Sequence, residues 1–300
     1  MNTGNTAKML VTFWGTRGSV STPGARTEKY GGNTPCVFVT HGDTMIILDA
    51  GTGIRDLGYE LSRHVQKHGK SLKLHLLLSH THWDHIQGLP FFSPAYMRGT
   101  KLIIGGSPKK GTFLESILVG QMDLNYFPVG MNELAADLSI KEFSKAKIKI
   151  GSVTVEWQEQ ICHPGGSVRY KLSVNGRKIV YATDVELDKI FRNGPGAVKN
   201  RLALGREYRA FIRGADLLIA DGQYAGEEYS GKIGWGHSSI PLLLDVAHKE
   251  GVKQLAVFHH DPQHSDVILD RLCADYGPKY MAKTPSMSVF WAREGITLAI

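Results

Sequence analysis

The chain has little cysteine: Cys36, Cys162 and Cys273 stand far apart in 300 residues, with no Cys-x-x-Cys pair. That excludes a disulfide framework and a thiolate zinc clip, and reduced thiols are expected. No apolar stretch reaches the roughly 18 residues of a membrane-spanning helix, so no span is predicted. The opening residues, 1–8, are polar and lack the apolar core of a signal peptide, so the cytoplasm is the expected location. There is no repeat, no low-complexity run and no linker, and residues 1–300 are expected to form a single domain. Acidic residues are outnumbered, 28 against 35 basic, and the net charge of +7 favours an anionic partner. Lys109, Lys110, Arg206, Arg209 and Arg213 could steer an anion or could be ordinary solvated charge.

What the chain does have is concentrated in one place. The run Ser79-His80-Thr81-His82-Trp83-Asp84-His85 sets four metal-ligand side chains within six residues, in the order His-x-His-x-Asp-His. It follows residues 72–78, an apolar segment that predicts a buried strand. Imidazole and carboxylate crowded at a strand's end are costly to bury unless something compensates them. A borderline transition metal does so, because these are its natural ligands. A polar loop with accidental histidines is the alternative, and the spacing argues against it.

Hydrophobic periodicity predicts strands over 9–14, 36–40 and 44–48, the last two joined by Gly42-Asp43 as a hairpin. Ile54, Leu57, Leu61 and Val65 recur at helical spacing, and Gly69 marks that helix's end. Further strands are expected over 101–104, 147–157, 168–174, 178–182, 215–220, 254–258 and 288–291, with a turn at Asn175-Gly176. Helices are expected over 85–89, 112–119, 240–248 and 265–276. Residues 126–143 give no clear pattern; the aromatic Tyr126-Phe127-Pro128 suggests a flap beside the site. Strands cluster in each half, with helices after them. That order predicts an α/β fold of two facing mixed sheets with helices on the outer faces, an αββα sandwich.

A metal pair needs more than four protein groups. His163, Asp184 and His259 stand at predicted strand ends, where a rigid scaffold leaves side chains open to solvent. Singly, each has an ordinary structural reading; a strand-end Asp often caps a helix. With the run, they complete a set. One ion can take His80, His82 and His163, and the other Asp84, His85 and His259. Asp184 can bridge them, and a hydroxide shared between the ions is a nucleophile at neutral pH. Next to His259 stands His260, the alternative ligand. Successive strand residues point to opposite faces, so both cannot aim at one ion unless the chain turns between them. His259 follows the strand directly and is preferred. His75 and His264 belong to no motif and are expected to be surface or core residues.

The run His80–His85 followed by His163, Asp184 and His259 resembles the metallo-β-lactamase-fold hydrolases over nearly the whole chain. Most lactamases proper carry a cysteine near the position of Asp184, and the match is better to the phosphodiesterase branch, similar to ribonuclease Z and the phosphonate-pathway phosphodiesterase. Phe13-Trp14-Gly15-Thr16-Arg17-Gly18-Ser19, Gly32-Asn33-Thr34 and Ile47-Leu48-Asp49-Ala50-Gly51 resemble that branch's opening strands and turns. Gly236-His237-Ser238-Ser239 resembles its Gly-His-Ser-Thr, and Asp221 stands where ribonuclease Z carries an acidic residue. The resemblance implies that His237, oriented by Asp221, contacts the scissile phosphate or protonates the leaving oxygen. The other reading of His237 is a helix-cap neighbour, with Ser238 as the cap.

The cofactors expected are two divalent transition-metal ions, zinc first, with manganese and iron also suited to these ligands. Asp84 is expected to be a base or orienting group as well as a ligand. The expected function is a dinuclear phosphodiesterase acting on cyclic nucleotides or short oligonucleotides. Transfer-RNA processing is less favoured. Ribonuclease Z inserts a long arm between the matching ligands, and only 21 residues (184 − 163) separate them here. A carboxyl-ester, lactone or thioester hydrolase on the same core is one alternative, and a metal-binding sensor or binding subunit without turnover is another. The expected partner is an anionic small molecule or oligonucleotide, with no membrane; a homodimer is compatible with the sequence.

Overall fold

The computed structural model describes residues 8–107, 113–143, 146–194, 196–283 and 287–300. In chain order its elements are β1 (Leu10–Gly15), β2 (Cys36–His41), β3 (Thr44–Leu48), α1 (Ile54–His68), β4 (Lys73–Leu77), α2 (Trp83–Ile86), β5 (Lys101–Gly106), α3 (Leu114–Gln121) and β6 (Asp137–Glu142). Then follow β7 (Lys147–Ile150), β8 (Val153–Gln160), β9 (Ser167–Val174), β10 (Arg177–Ala182), α4 (Leu187–Phe191), α5 (Arg201–Ile212) and β11 (Leu217–Asp221). The last are α6 (Ile240–Lys249), β12 (Gln254–Phe258), α7 (Asp266–Lys283), β13 (Ser288–Trp291) and β14 (Thr297–Ala299).

The strands form two seven-stranded sheets, ordered β14-β1-β2-β3-β4-β5-β6 and β13-β12-β11-β10-β9-β8-β7. The first is antiparallel from β14 to β3 and parallel from β3 to β6. The second is antiparallel from β7 to β10 and parallel from β10 to β13. Side-chain alternation decides which layer each residue fills. On β10, Ile179 and Tyr181 join Phe13, Val37 and Ile46 in the core between the sheets. Val180 and Ala182 face the other way, into the core that includes Tyr208 of α5 and Leu243 of α6. On the first sheet, Ile47, Leu74 and Leu76 pack with Ile54, Leu57 and Leu61 of α1. The helix ends where Gly69, at φ 65°, donates its N–H to the Val65 carbonyl. The αββα sandwich expected from the sequence is the observed fold.

Several boundaries differ from the expectation. Residues 147–157 are two strands: Gly151 takes φ 55° and turns β7 back onto β8. The apolar period shifts there from even (Ile148, Ile150) to odd numbers (Val153, Val155, Trp157). Residues 126–143 hold the edge strand β6, paired parallel to β5. The helix after the ligand run is the short α2, which starts at Trp83, and α7 continues to Lys283 with Pro278 inside it. Neither α5 nor β14 was expected; α5 has Gly205 in its interior and no side-chain cap, and β14 is three residues long. Thr112, where a helix was expected to start, lies outside the described residues; α3 begins at Leu114. Among the described residues, no helix is long and apolar enough to cross a membrane.

Candidate metal centre

The predicted ligands converge from both sheets. His80, His82, Asp84 and His85 lie on the turn after β4 and the start of α2. His163 follows β8, Asp184 follows β10, and His259 follows β12. Every one except His82, which is half-buried, is buried. Asp184 and His259 sit in the left-handed region, at φ 55° and 61°, where non-glycine residues are uncommon. The chain thus turns at His259, which sends the two histidines apart. His259 faces Asp84 and His85, while His260 hydrogen-bonds the Ala292 carbonyl at 2.7 Å and meets the Tyr30 ring edge-on.

Four donor atoms form a close group: Asp84 Oδ2, His85 Nε2, His259 Nε2 and Asp184 Oδ2. The His85 nitrogen lies 3.3 Å from Asp84, 3.3 Å from His259 and 3.2 Å from Asp184, and the His259 nitrogen lies 3.2 Å from Asp84 and 3.4 Å from Asp184. A tetrahedral ion with bonds of about 2.0–2.1 Å spaces its ligands roughly 3.3 Å apart. The second group is looser. His82 Nδ1 and His163 Nε2 are 3.0 Å apart, and the other Asp184 oxygen, Oδ1, stands 3.9 Å from His80 Nε2 and 3.8 Å from His163 Nε2. Asp184 therefore presents one oxygen to each group.

The ring orientations are fixed from behind. His85 Nδ1 meets Asp49 at 2.8 Å, His259 Nδ1 meets Gln223 Oε1 at 2.9 Å, and His163 Nδ1 meets the Gly236 carbonyl at 3.1 Å. Each acceptor takes the Nδ1 proton and leaves Nε2 as a lone pair turned inward. Lone pairs of His85 and His259 then face each other at 3.3 Å, an arrangement that a cation or a proton must relieve. His80 Nε2 is buried with no hydrogen-bond partner. The donor set and this orphaned nitrogen fit divalent metal ions.

Electrostatics divide the cluster. Burial, with the neighbouring imidazoles, lowers the pKa of His80 far below the ordinary histidine value. Burial opposes ionisation of Asp184, but His259, His85 and His80 outweigh it and hold the carboxyl well below the usual range. Burial likewise works against a charged His237, yet Asp221, at 2.6 Å from Nδ1, outweighs it and raises the group to about 9. His237 Nδ1 stands 3.8 Å from Asp184 Oδ1, so the pair borders the donor groups.

Sequence reasoning missed the supporting residues. Asp49, buried at φ 62°, accepts from Ser79 N and Oγ, from His85 and from Tyr181 OH. A lone carboxylate after an apolar strand was its signal. Ser19 donates its backbone N–H to Asp84 at 2.8 Å. Glu186 accepts from Tyr229 OH and from the amides of Gly234 and Gly236, which fixes the loop before His237. Two glycines allow the rings to seat: a Cβ on Gly18 would meet His259 Nδ1 at 2.3 Å, and one on Gly236 would meet His163 Nδ1 at 2.4 Å. Ser239, not Ser238, is the N-cap of α6; Ser238 Oγ instead donates to the Val185 carbonyl. Arg206 and Arg209 lie on α5 and Arg213 caps its C-terminal end; Glu250 pairs with Arg209 and Arg213, and none of the three lines the cleft over the cluster. Lys109 and Lys110 fall outside the described residues. His264 pairs with Glu228 at 2.9 Å, away from the donor groups.

Known proteins resemble this chain in the same terms. A ribonuclease Z from Sulfurisphaera tokodaii is 23% identical over 82% of this chain and 88% of its own length. The metallo-beta-lactamase fold protein YhfI from Bacillus subtilis shares the fold with a TM-score of 0.67, at 17% identity over 98% of this chain and 100% of that one. Unliganded yeast PDE1 does so with a TM-score of 0.66, at 15% identity over 98% and 100%. The family described as Beta-lactamase superfamily domain matches residues 44–260, from β3 through all seven predicted ligands, and the chain belongs to that family of hydrolases.

Proposed function

We propose that the chain is a dinuclear-metal phosphodiesterase, with His80, His82 and His163 at one ion, Asp84, His85 and His259 at the other, and Asp184 between them. Both sheets supply ligands, so residues 1–300 act as a single domain. Bound divalent ions, zinc first, supply Lewis acidity and a water acidified enough to attack at neutral pH. The protein's own part is to hold charge and move a proton. Asp84 takes the role of base or orienting group, its Oδ2 fixed by the Ser19 amide.

The observation that carries the phosphodiester reading is the Asp221–His237 pair beside the donor groups. Cleavage of a phosphodiester needs a proton for the leaving alkoxide and positive charge for the phosphate oxygens. A His237 held through Nδ1 by Asp221 offers both when it carries a proton. The β9–β10 hairpin takes up the stretch between His163 and Asp184 and leaves no place there for a long arm, which favours cyclic nucleotides or short oligonucleotides over folded RNA. A cytoplasmic location agrees with the three free cysteines.

Metal-reconstituted protein offered bis-p-nitrophenyl phosphate, p-nitrophenyl acetate and a lactone should cleave the phosphodiester fastest. His237→Ala should keep both ions and lose turnover by about 10²–10⁴-fold. A preference for acetate or lactone would move the function to ester hydrolysis, and bound ions without turnover would make the chain a binding subunit. A fully active His237→Ala would remove the role given to His237.

A further inference from the structure

A groove of about 550 Å³ runs along α2 and is lined by Trp83, Phe91, Ile117, Tyr126 and Phe127. Its rings are turned to solvent: Trp83 is 65%, Phe91 57% and Tyr126 78% exposed. So much aromatic surface in one place marks a contact site rather than scattered surface hydrophobes. Phe91 and Phe127 meet edge-on, with centroids 5.3 Å apart, so that wall is braced. Gln121 also lines the groove; its amide donates to the Ile86 carbonyl and its Oε1 has no partner.

The groove adjoins the metal centre. Trp83 stands inside the ligand run, between His82 and Asp84. Thr81 lines both this groove and the cleft over His80, His82 and His163. An acyl chain would be matched by aliphatic walls, whereas planar rings match a planar ligand. Aromatic side chains beside a phosphate site are a means of holding nucleotides, because every base has a stacking face.

We infer that this groove holds the base of a nucleotide whose phosphate lies at the metal centre. The inference rests on the phosphodiesterase reading and narrows its substrates to nucleotidyl phosphodiesters. Tyr126, outside the ligand run, gives the base a wall that can be altered without touching a ligand's neighbour.

The test is calorimetric binding of AMP and of ribose 5-phosphate to metal-loaded protein, which share a phosphate and differ in the base. AMP should bind about tenfold tighter or more, the scale of one stacked base. In Trp83→Ala and in Tyr126→Ala that ratio should fall toward one, with ribose 5-phosphate affinity unchanged. Metal content is measured in each variant, and Tyr126→Ala carries the test if Trp83→Ala loses an ion. Equal affinities in the unaltered protein, together with cleavage of bis-p-nitrophenyl phosphate, would overturn the base site and leave the phosphodiesterase reading standing. Absence of both binding and cleavage would overturn both. A dimer that dissociates in Trp83→Ala, with the AMP preference intact, would make the groove an interface between copies and overturn the inference.

Discussion

The two sheets bring the proposed ligands to the centre in opposite ways. The first supplies His80, His82, Asp84 and His85 on one turn, and none of the four has a positive φ. The second supplies His163, Asp184 and His259 from three separate strand ends, two of them in left-handed backbone. Such conformations cost of order 1–3 kcal/mol each and persist where the surroundings over-determine them. Here the surroundings are visible: Thr183 Oγ1 donates to Asp184, Gln223 holds His259, and Gly18 clears space for its ring. One sheet concentrates its ligands in sequence and keeps left-handed backbone out of the run itself, placing it instead at Asp49 and Ser19, which hold His85 and Asp84. The other gathers distant residues and accepts strain to aim them.

The largest effect should come from the residue that joins the two. Asp184 offers Oδ1 to one donor group and Oδ2 to the other, so Asp184→Ala should lose both ions and all turnover, measured by elemental analysis of protein purified without chelator and by phosphodiester assay. Retention of two ions per chain would break the comparison, because the sheets would then hold their ions independently. His259→Ala should have half that reach and lower metal content toward one ion per chain. His260→Ala should leave both ions bound, since its ring is engaged with Ala292 and Tyr30. The reverse pattern would mean that the left-handed turn aims the wrong histidine.

The same contrast explains what the sequence made legible. A contiguous run is readable because all its residues share one local structure. His163, Asp184 and His259 could be picked out only against that run, since each alone looks like an ordinary strand-end residue. The sandwich was legible from periodicity, down to the Asn175-Gly176 turn between β9 and β10. The β7–β8 turn was not, although the parity of the apolar residues shifts there. Supporting residues were the least legible. Asp49, Gln223 and Glu186 act through tertiary hydrogen bonds to residues 30 or more positions away, and no local pattern encodes those.

His75 sharpens the comparison within the first sheet. It lies on β4, five positions (80 − 75) before His80, yet it belongs to none of the donor groups. It is half-buried, and burial together with Lys73 and Lys141 pushes it down to about 4. An unfolded histidine titrates near 6.5. Between these values the unfolded chain holds a proton at His75 that the folded chain does not, so the residue makes stability rise with pH across that window and adds no slope above it. Stability should therefore fall as pH drops from about 6.5 toward 4, and His75→Leu should flatten part of that fall. The effect should be the smallest of these, because solvent screens a half-exposed group. Thermal melts of the metal-free proteins across that range separate it from acid release of metal, which needs bound ions. Parallel curves for the two proteins would show that His75 keeps an ordinary affinity for its proton, and that β4 places no penalty on an imidazole until the chain reaches the ligand turn.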